Sequence, residues 1–270
     1  MTKMTSRLLI GILLMSFPYF NNAQEKLKRA DSFFGFHFDF HATASDKDLG
    51  EYFNEMDLED FLRSTKPDYV QIDSKGHPGF SSYPTKVGYS ANSFNQDPMR
   101  LWREVTNSFN IPLYVHYSGI WDDKGISSNP EWARVNADGS KDLRYSSYLG
   151  PYSDKLLIPQ IKEMIDEYSI DGAWVDGDCW ATGPDYSPEV VNEFLEVTGL
   201  ETVPLNTEDP NYGKWLDFNR TKFKQYLGHY VDAIHAYKPG FQVASNWAYS
   251  SMMPEKVNVN VDFLSGDVSG

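Results

Sequence analysis

Ile170-Asp171-Gly172-Ala173-Trp174-Val175-Asp176-Gly177-Asp178-Cys179-Trp180 is a short apolar run that ends in two carboxylates two residues apart. It follows a segment of helical periodicity after a very short turn, the order of a βαβ unit. Side chains alternate along a strand, so Trp174, Asp176 and Asp178 are expected on one face. Trp174 and Trp180 bracket the acids, and apolar walls of that kind drive carboxylate pKa values apart. A lone Asp after a strand is ordinarily a solvated turn residue. Two aligned acids at the C-terminal end of a parallel strand stand where α/β proteins gather their ligand sites.

On either side of this stretch, strand and helix patterns alternate. From Phe34 to His41 the chain alternates phenylalanine with His37, Asp39 and His41, so Phe33–His41 reads as a strand whose polar face looks into a site. A helix over Leu58–Lys66 stops at Pro67, and Asp68–Ser74 is a second strand with Tyr69, Gln71 and Asp73 together. Asp97-Pro98 caps and opens a helix that buries Leu101, Trp102, Val105 and Phe109. Ile111–Ser118 is the third strand and groups Tyr114, His116 and Ser118. Ser153 or Asp154 is expected to cap the helix that feeds strand four. A long helix over Asp217–Tyr237 stops at Pro239-Gly240, and strands are expected at Phe241–Trp247 and Val261–Leu264. Two long loops, 75–96 and 119–152, carry aromatic residues and read as functional. This succession predicts an α/β fold, a (β/α)8 TIM-type barrel over residues 24–270 with about six strands present, incomplete at its C-terminus. An open doubly wound sheet is the alternative, weakened by the lack of a Gly-rich phosphate turn after strand one.

Residues 1–23 read as a secretory signal peptide: Lys3 and Arg7, then the apolar run Leu8–Phe20, then Asn21-Asn22-Ala23. Export, to a periplasm or the exterior, is the expectation, with no membrane span after processing because the run is short. Removing that segment takes two of the 24 basic residues and none of the 38 acids, leaving 22 − 38 = −16. Such a charge argues against nucleic acid and anionic membranes as partners. The single cysteine, Cys179, forms no intrachain disulfide, so the core must hold without covalent staples. Aromatic residues make up 15% of the chain, and those expected in loops offer flat faces for a sugar ring.

Several motifs resemble the α-L-fucosidases, family 29 of the glycoside hydrolases. Gln160–Tyr168 followed by Ala173-Trp174-Val175-Asp176-Gly177 resembles that family's helix and fourth strand. Lys75-Gly76-His77-Pro78-Gly79-Phe80 looks like its Lys-His-His-Asp-Gly-Phe sugar-binding loop. Tyr114–Ser118 resembles its third strand, and Phe34-Gly35-Phe36 its first. The resemblance covers roughly residues 33–180. It implies a retaining glycosidase that removes a terminal sugar such as α-L-fucose, with Asp176 as the nucleophile. Gly76 stands where the family has a His, Pro78 where it has Asp, and Asp39 near its first-strand His, so the sugar itself is left open.

Glycoside cleavage needs a second carboxyl group as acid/base, flanking the scissile bond. Asp267, after strand six, suits this better than Asp178, which would approach from the side of Asp176 and is assigned to a substrate hydroxyl. His37, Asp39, His41, Asp73, His77, His116, Trp174, Trp180 and Asn246 complete the expected carbohydrate subsite. No cofactor and no metal is expected in this reading. Two rivals are kept. One is a metal-dependent, amidohydrolase-like barrel, because His37-x-Asp39-x-His41 offers three ligands on one strand face. The other is a carbohydrate-binding barrel without catalysis.

Overall fold

The computed structural model describes residues 25–178, 183–249 and 256–266. In chain order the strands are β1 (Gly35–Phe38), β2 (Tyr69–Lys75), β3 (Phe80–Ser81), β4 (Tyr89–Ser90), β5 (Leu113–Ser118), β6 (Ala133–Val135), β7 (Lys141–Ser146), β8 (Gly172–Asp176) and β9 (Gln242–Ser245). The α-helices are α1 (Glu55–Thr65), α2 (Pro98–Ser108), α3 (Asp123–Ser128), α4 (Ile158–Tyr168), α5 (Pro188–Thr198) and α6 (Tyr212–Tyr237). Strands β1, β2, β5, β8 and β9 pair in parallel, each with the next in the chain. Helices α1, α2 and α4 lie in the connections between them, and α5 and α6 both precede β9.

Local chemistry sets the helix ends. Asn54 caps α1 by accepting a hydrogen bond from the Asp57 N–H at 2.9 Å, and Lys66 ends it in the left-handed region just before Pro67. Asp97 caps α2 in the same way through Arg100 N–H at 3.0 Å, with Pro98 at the first helical position. The alternation of the strands then sorts two layers. Val70, Ile72, Val115, Tyr117, Val175 and Val243 face the helices and meet Trp102, Ile161, Met164, Leu227 and Ile234 in the main core. Each fully buried aliphatic side chain there contributes about 1.5–3 kcal/mol. On the opposite, inner face Tyr114, Trp174, Ala244 and Phe263 form a smaller apolar floor. Register places Asp73 beside His116, His116 beside Trp174, and Ser118 beside Asp176.

Several expectations need correction. Only Gly35–Phe38 of the expected first strand pairs, because β1 has a partner in β2 for just four residues; Asp39 and His41 leave along a loop. Neither Ser153 nor Asp154 is a cap. Both lie inside a wide helical turn, Ser153–Leu157, that runs straight into α4. The long helix begins at Tyr212, where Trp215 already packs on Phe194 of α5 at 4.8 Å between ring centroids. Asn246 starts a short 3-10 turn, so the fifth parallel strand stops at Ser245. Val261–Leu264 forms no strand: Asp262 N–H donates to Val243 O at 2.9 Å, and its carboxylate accepts from Val243 N–H, which uses up the edge in one residue. Loop 75–96 holds β3 and β4, and loop 119–152 holds α3 and the β6–β7 hairpin. Among the described residues no helix is long and apolar enough to cross a membrane.

Candidate active site

Asp176 closes β8 on the inner face, 7% exposed. Its two oxygens face three donors and the ring of His77. Oδ1 accepts from Gly177 N–H at 2.6 Å and from the Asn246 side-chain amide. Oδ2 lies 3.0 Å from His116 Nε2 and 3.4 Å from His77 Nε2. Burial alone would raise this carboxyl, but the hydrogen bond and charge of His116 and the Gly177 amide hold it below the usual Asp value. The group is therefore an ionised carboxylate at a strand end, on the sheet face turned away from the helices.

His116 links Asp176 to Asp73, whose Oδ1 is 2.5 Å from Nδ1. Burial opposes a charge on this ring, yet both nitrogens face carboxylates, and those bonds raise it to about 10. Asp73 itself is pushed up by burial, and its other oxygen, Oδ2, has no hydrogen-bond partner among the described residues. His77 comes from the loop after β2. Ser118 Oγ donates to Trp121 O at 2.6 Å, so it must accept the proton of His77 Nδ1 at 2.6 Å. Burial lowers this ring to about 4. The neutral His77 thus turns a bare Nε2 toward the site, beside the Asp176 carboxylate. That Nε2 is an acceptor open to a hydroxyl donor. The Trp121 ring stacks on His77 at 4.2 Å and an interplanar angle of 5°.

The other expected site residues divide into groups. His37 lies over the same cluster, 5.5 Å from the His116 ring and edge-on to Trp174 at 5.6 Å. His41 stacks on His116 at 5.2 Å and 17°, and Asp39 is exposed at its side. Gly76 makes that stack possible, because a Cβ there would come within 2.4 Å of the His41 ring. Trp174 is buried beneath, its indole N–H without a partner among the described residues. Trp180, Cys179 and Asp267 lie outside the described residues, as does the leader segment 1–23.

Asp178 is a correction. It does not share the face of Asp176, because Gly177 at φ 80° breaks the alternation and turns the next side chain to the helix side. There it is fully buried, accepting from Tyr230 Oη and Ser245 Oγ, both at 2.9 Å, and from Ile120 N–H at 3.3 Å. Burial pushes it up to about 7. Because the folded value exceeds the unfolded one, the stability linked to this group is complete below the unfolded pKa and falls as pH rises through about 7. Asp178→Asn should therefore flatten the decline of the urea midpoint between pH 4 and 8. A decline equal to that of the parent would show that Asp178 is not its source.

Sequence reasoning left out four participants. Ser118 was visible on the His116 face, and Trp121 as a loop aromatic, but their contact with His77 depends on how loop 119–152 folds back. Lys75 and Asp122 are paired at 2.6 Å under this loop, both fully buried, and neither carried any signal of pairing across 47 positions. An apolar cavity of about 570 Å3, lined mainly by Phe38, Phe40, Phe53, Phe61, Met99 and Trp102, sits on the helix side of β1 and shares Asp73 with the site.

Fold and site define an α/β protein with parallel strand ends converging on an ionised Asp and a histidine cluster. The family described as Alpha-L-fucosidase matches residues 18–258, and the chain belongs to that family of glycosidases. An alpha-L-fucosidase of Branchiostoma floridae is 23% identical over 133 residues, 47% of this chain and 27% of that protein. A relative from Caenorhabditis elegans is 24% identical over 137 residues, 50% of this chain and 26% of its own length. The chain thus spans about a quarter of the length of the curated relatives it matches. Alpha-L-fucosidase isoenzyme 2 from Paenibacillus thiaminolyticus shares the fold, with a TM-score of 0.64 at 21% identity over 80% of this chain and 32% of that one.

Proposed function

We propose that this chain carries the nucleophile half of a retaining glycosidase acting on terminal α-L-fucose or a closely related sugar, on a sheet that is an arc of a (β/α)8 barrel. The observation that supports it most directly is Asp176, held ionised by His116, Asn246 and Gly177 at a strand end. In this reading Asp176 attacks the anomeric carbon, and the departing oxygen takes a proton from an acid/base. Water, deprotonated by that same group, then releases the sugar. Asp267, outside the described residues, is the candidate for the acid/base; retention requires the two carboxyl groups to stand roughly 5–5.5 Å apart. His77 Nε2 accepts a sugar hydroxyl, and the rings of Trp121 and His37 flank the subsite. The protein is exported by its N-terminal segment, and its partner is a neutral glycan.

A panel of aryl glycosides tests this. Release of the aryl alcohol from an α-L-fucoside, with the first-formed sugar keeping its anomeric configuration, is the expected result. Turnover confined to another sugar would move the specificity, and binding of sugars without any turnover would replace the enzyme with a lectin-like module.

A further inference from the structure

Beside Asp176, on the far side of His116, a second group of donors has no task in that chemistry. One donor atom each from Asp39, His41, Asp73 and His116 lies within 4.8 Å of the other three. Two of these residues carry buried atoms with nothing to bind. Among the described residues His41 Nε2 has no hydrogen-bond partner, although Asp39 Oδ1 is 3.0 Å away, so the two touch without the alignment of a hydrogen bond. Asp73 Oδ2 is likewise unpartnered among the described residues, on a side chain only 1% exposed. Leaving a buried donor or acceptor unpaired costs about 1–3 kcal/mol, and more for a charged group.

A cation removes both anomalies together. Two ligands of a zinc-class ion, each at 2.0–2.2 Å, stand about 3.3 Å apart in a tetrahedral site and at most about 4.4 Å apart when opposite. The Asp39–His41 spacing already fits, the other pairs lie within 4.8 Å, and Asp39, whose side chain is 59% exposed, is free to adjust. We propose that Asp39, His41 and Asp73 form a site for one divalent ion of the zinc class on the floor of the concave face. His116 is not a ligand. Both its nitrogens are engaged, and through Asp73 Oδ1 it acts as the outer partner that orients the metal-binding carboxylate. The mixed oxygen and imidazole set selects Zn2+ or Co2+ over Mg2+ or Ca2+, which prefer oxygen alone. With three protein ligands the ion keeps open positions, and these face the concave site, where a pair of neighbouring hydroxyls of a sugar could replace water. The site goes beyond the glycosidase reading and differs from an amidohydrolase arrangement, because His37 takes no part in it.

The test uses tag-free protein stripped of metal by chelation, with no sugar present, so its outcome is separate from that of any activity assay. Titration calorimetry with Zn2+ alone should show one equivalent bound. Co2+ alone should give visible d–d absorption, which a four- or five-coordinate site makes intense. His41→Ala and Asp73→Asn should each weaken Zn2+ binding at least about 100-fold. His235→Ala is the control, since His235 and Asp262 form a similar contact of 2.8 Å on the outer surface. No saturable Zn2+ binding by the parent would overturn the proposal. So would binding that survives His41→Ala, or binding that His235→Ala abolishes. Circular dichroism of each variant separates lost ligands from lost folding.

Discussion

Asp176→Gly should lose nearly all turnover, by about 10³-fold or more on any glycoside the parent cleaves, while the protein stays folded. The side chain sits at the end of β8 with its carboxylate toward the concave face, so removing it takes little from either apolar layer. What remains is a small space ringed by donors: the Gly177 amide, the Asn246 side-chain amide and the His116 imidazolium. An added anion such as azide fits that description. It should restore part of the activity on a substrate with a good leaving group, and the azide adduct should carry the anomeric configuration opposite to that of the substrate. Turnover by Asp176→Gly at the parental rate would remove Asp176 from the reaction. Rescue with an azide product of unchanged configuration would place the nucleophile elsewhere.

Lys75→Met should cost about 3–5 kcal/mol of unfolding free energy, read from denaturant midpoints, because it strands a buried carboxylate. Lys75 Nζ is 2.6 Å from Asp122 Oδ2 and 2.9 Å from Tyr152 Oη, and it lies 4.4 Å from the centre of the Tyr117 ring. Asp122 has one other fixed duty, capping α3 by accepting from Gly125 N–H at 2.6 Å. Without the ammonium, that amide and the Tyr152 hydroxyl, at 2.9 Å, are the partners left to the charge among the described residues. The double variant Lys75→Met/Asp122→Asn should recover a substantial part of the loss, since no ion is then left unpaired. The pair also fastens the end of β2 to the loop that carries Trp121, so substrate binding should weaken in Lys75→Met even under conditions where it is folded. A single variant within about 1 kcal/mol of the parent, or a strictly additive double variant, would show that the pair is not an anchor.

Chain-local physics was enough for the parallel strands up to Ser245, for most of the helices and for half of the site, though not for Val261–Leu264 or the short strands in the loops. Caps at Asn54 and Asp97, the stops at Pro67 and Gly199, and the alternation in Leu113–Ser118 and Gly172–Asp176 follow from neighbours within a few residues. The same period of two put Asp73, His116 and Asp176 on one face before any pairing was known, and parallel register then brought them into contact. The period ends where a strand ends. One glycine in the left-handed region sent Asp178 to the helix side, and no count along the sequence reveals a φ. His41 shows the converse: it lies beyond the last paired residue of β1, yet the missing side chain of Gly76 admits its ring against His116. The proton arrangement is likewise a product of assembly. His77 is neutral and His116 charged although both are histidines near the same carboxylate. One has a serine oxygen and the other a second carboxylate at Nδ1, and those partners come from β5 and β2. Local sequence thus determined which groups are presented at the strand ends. Only the tertiary structure decided which are ionised, paired or left open, because desolvation and charge act through space across strands that are distant in the chain.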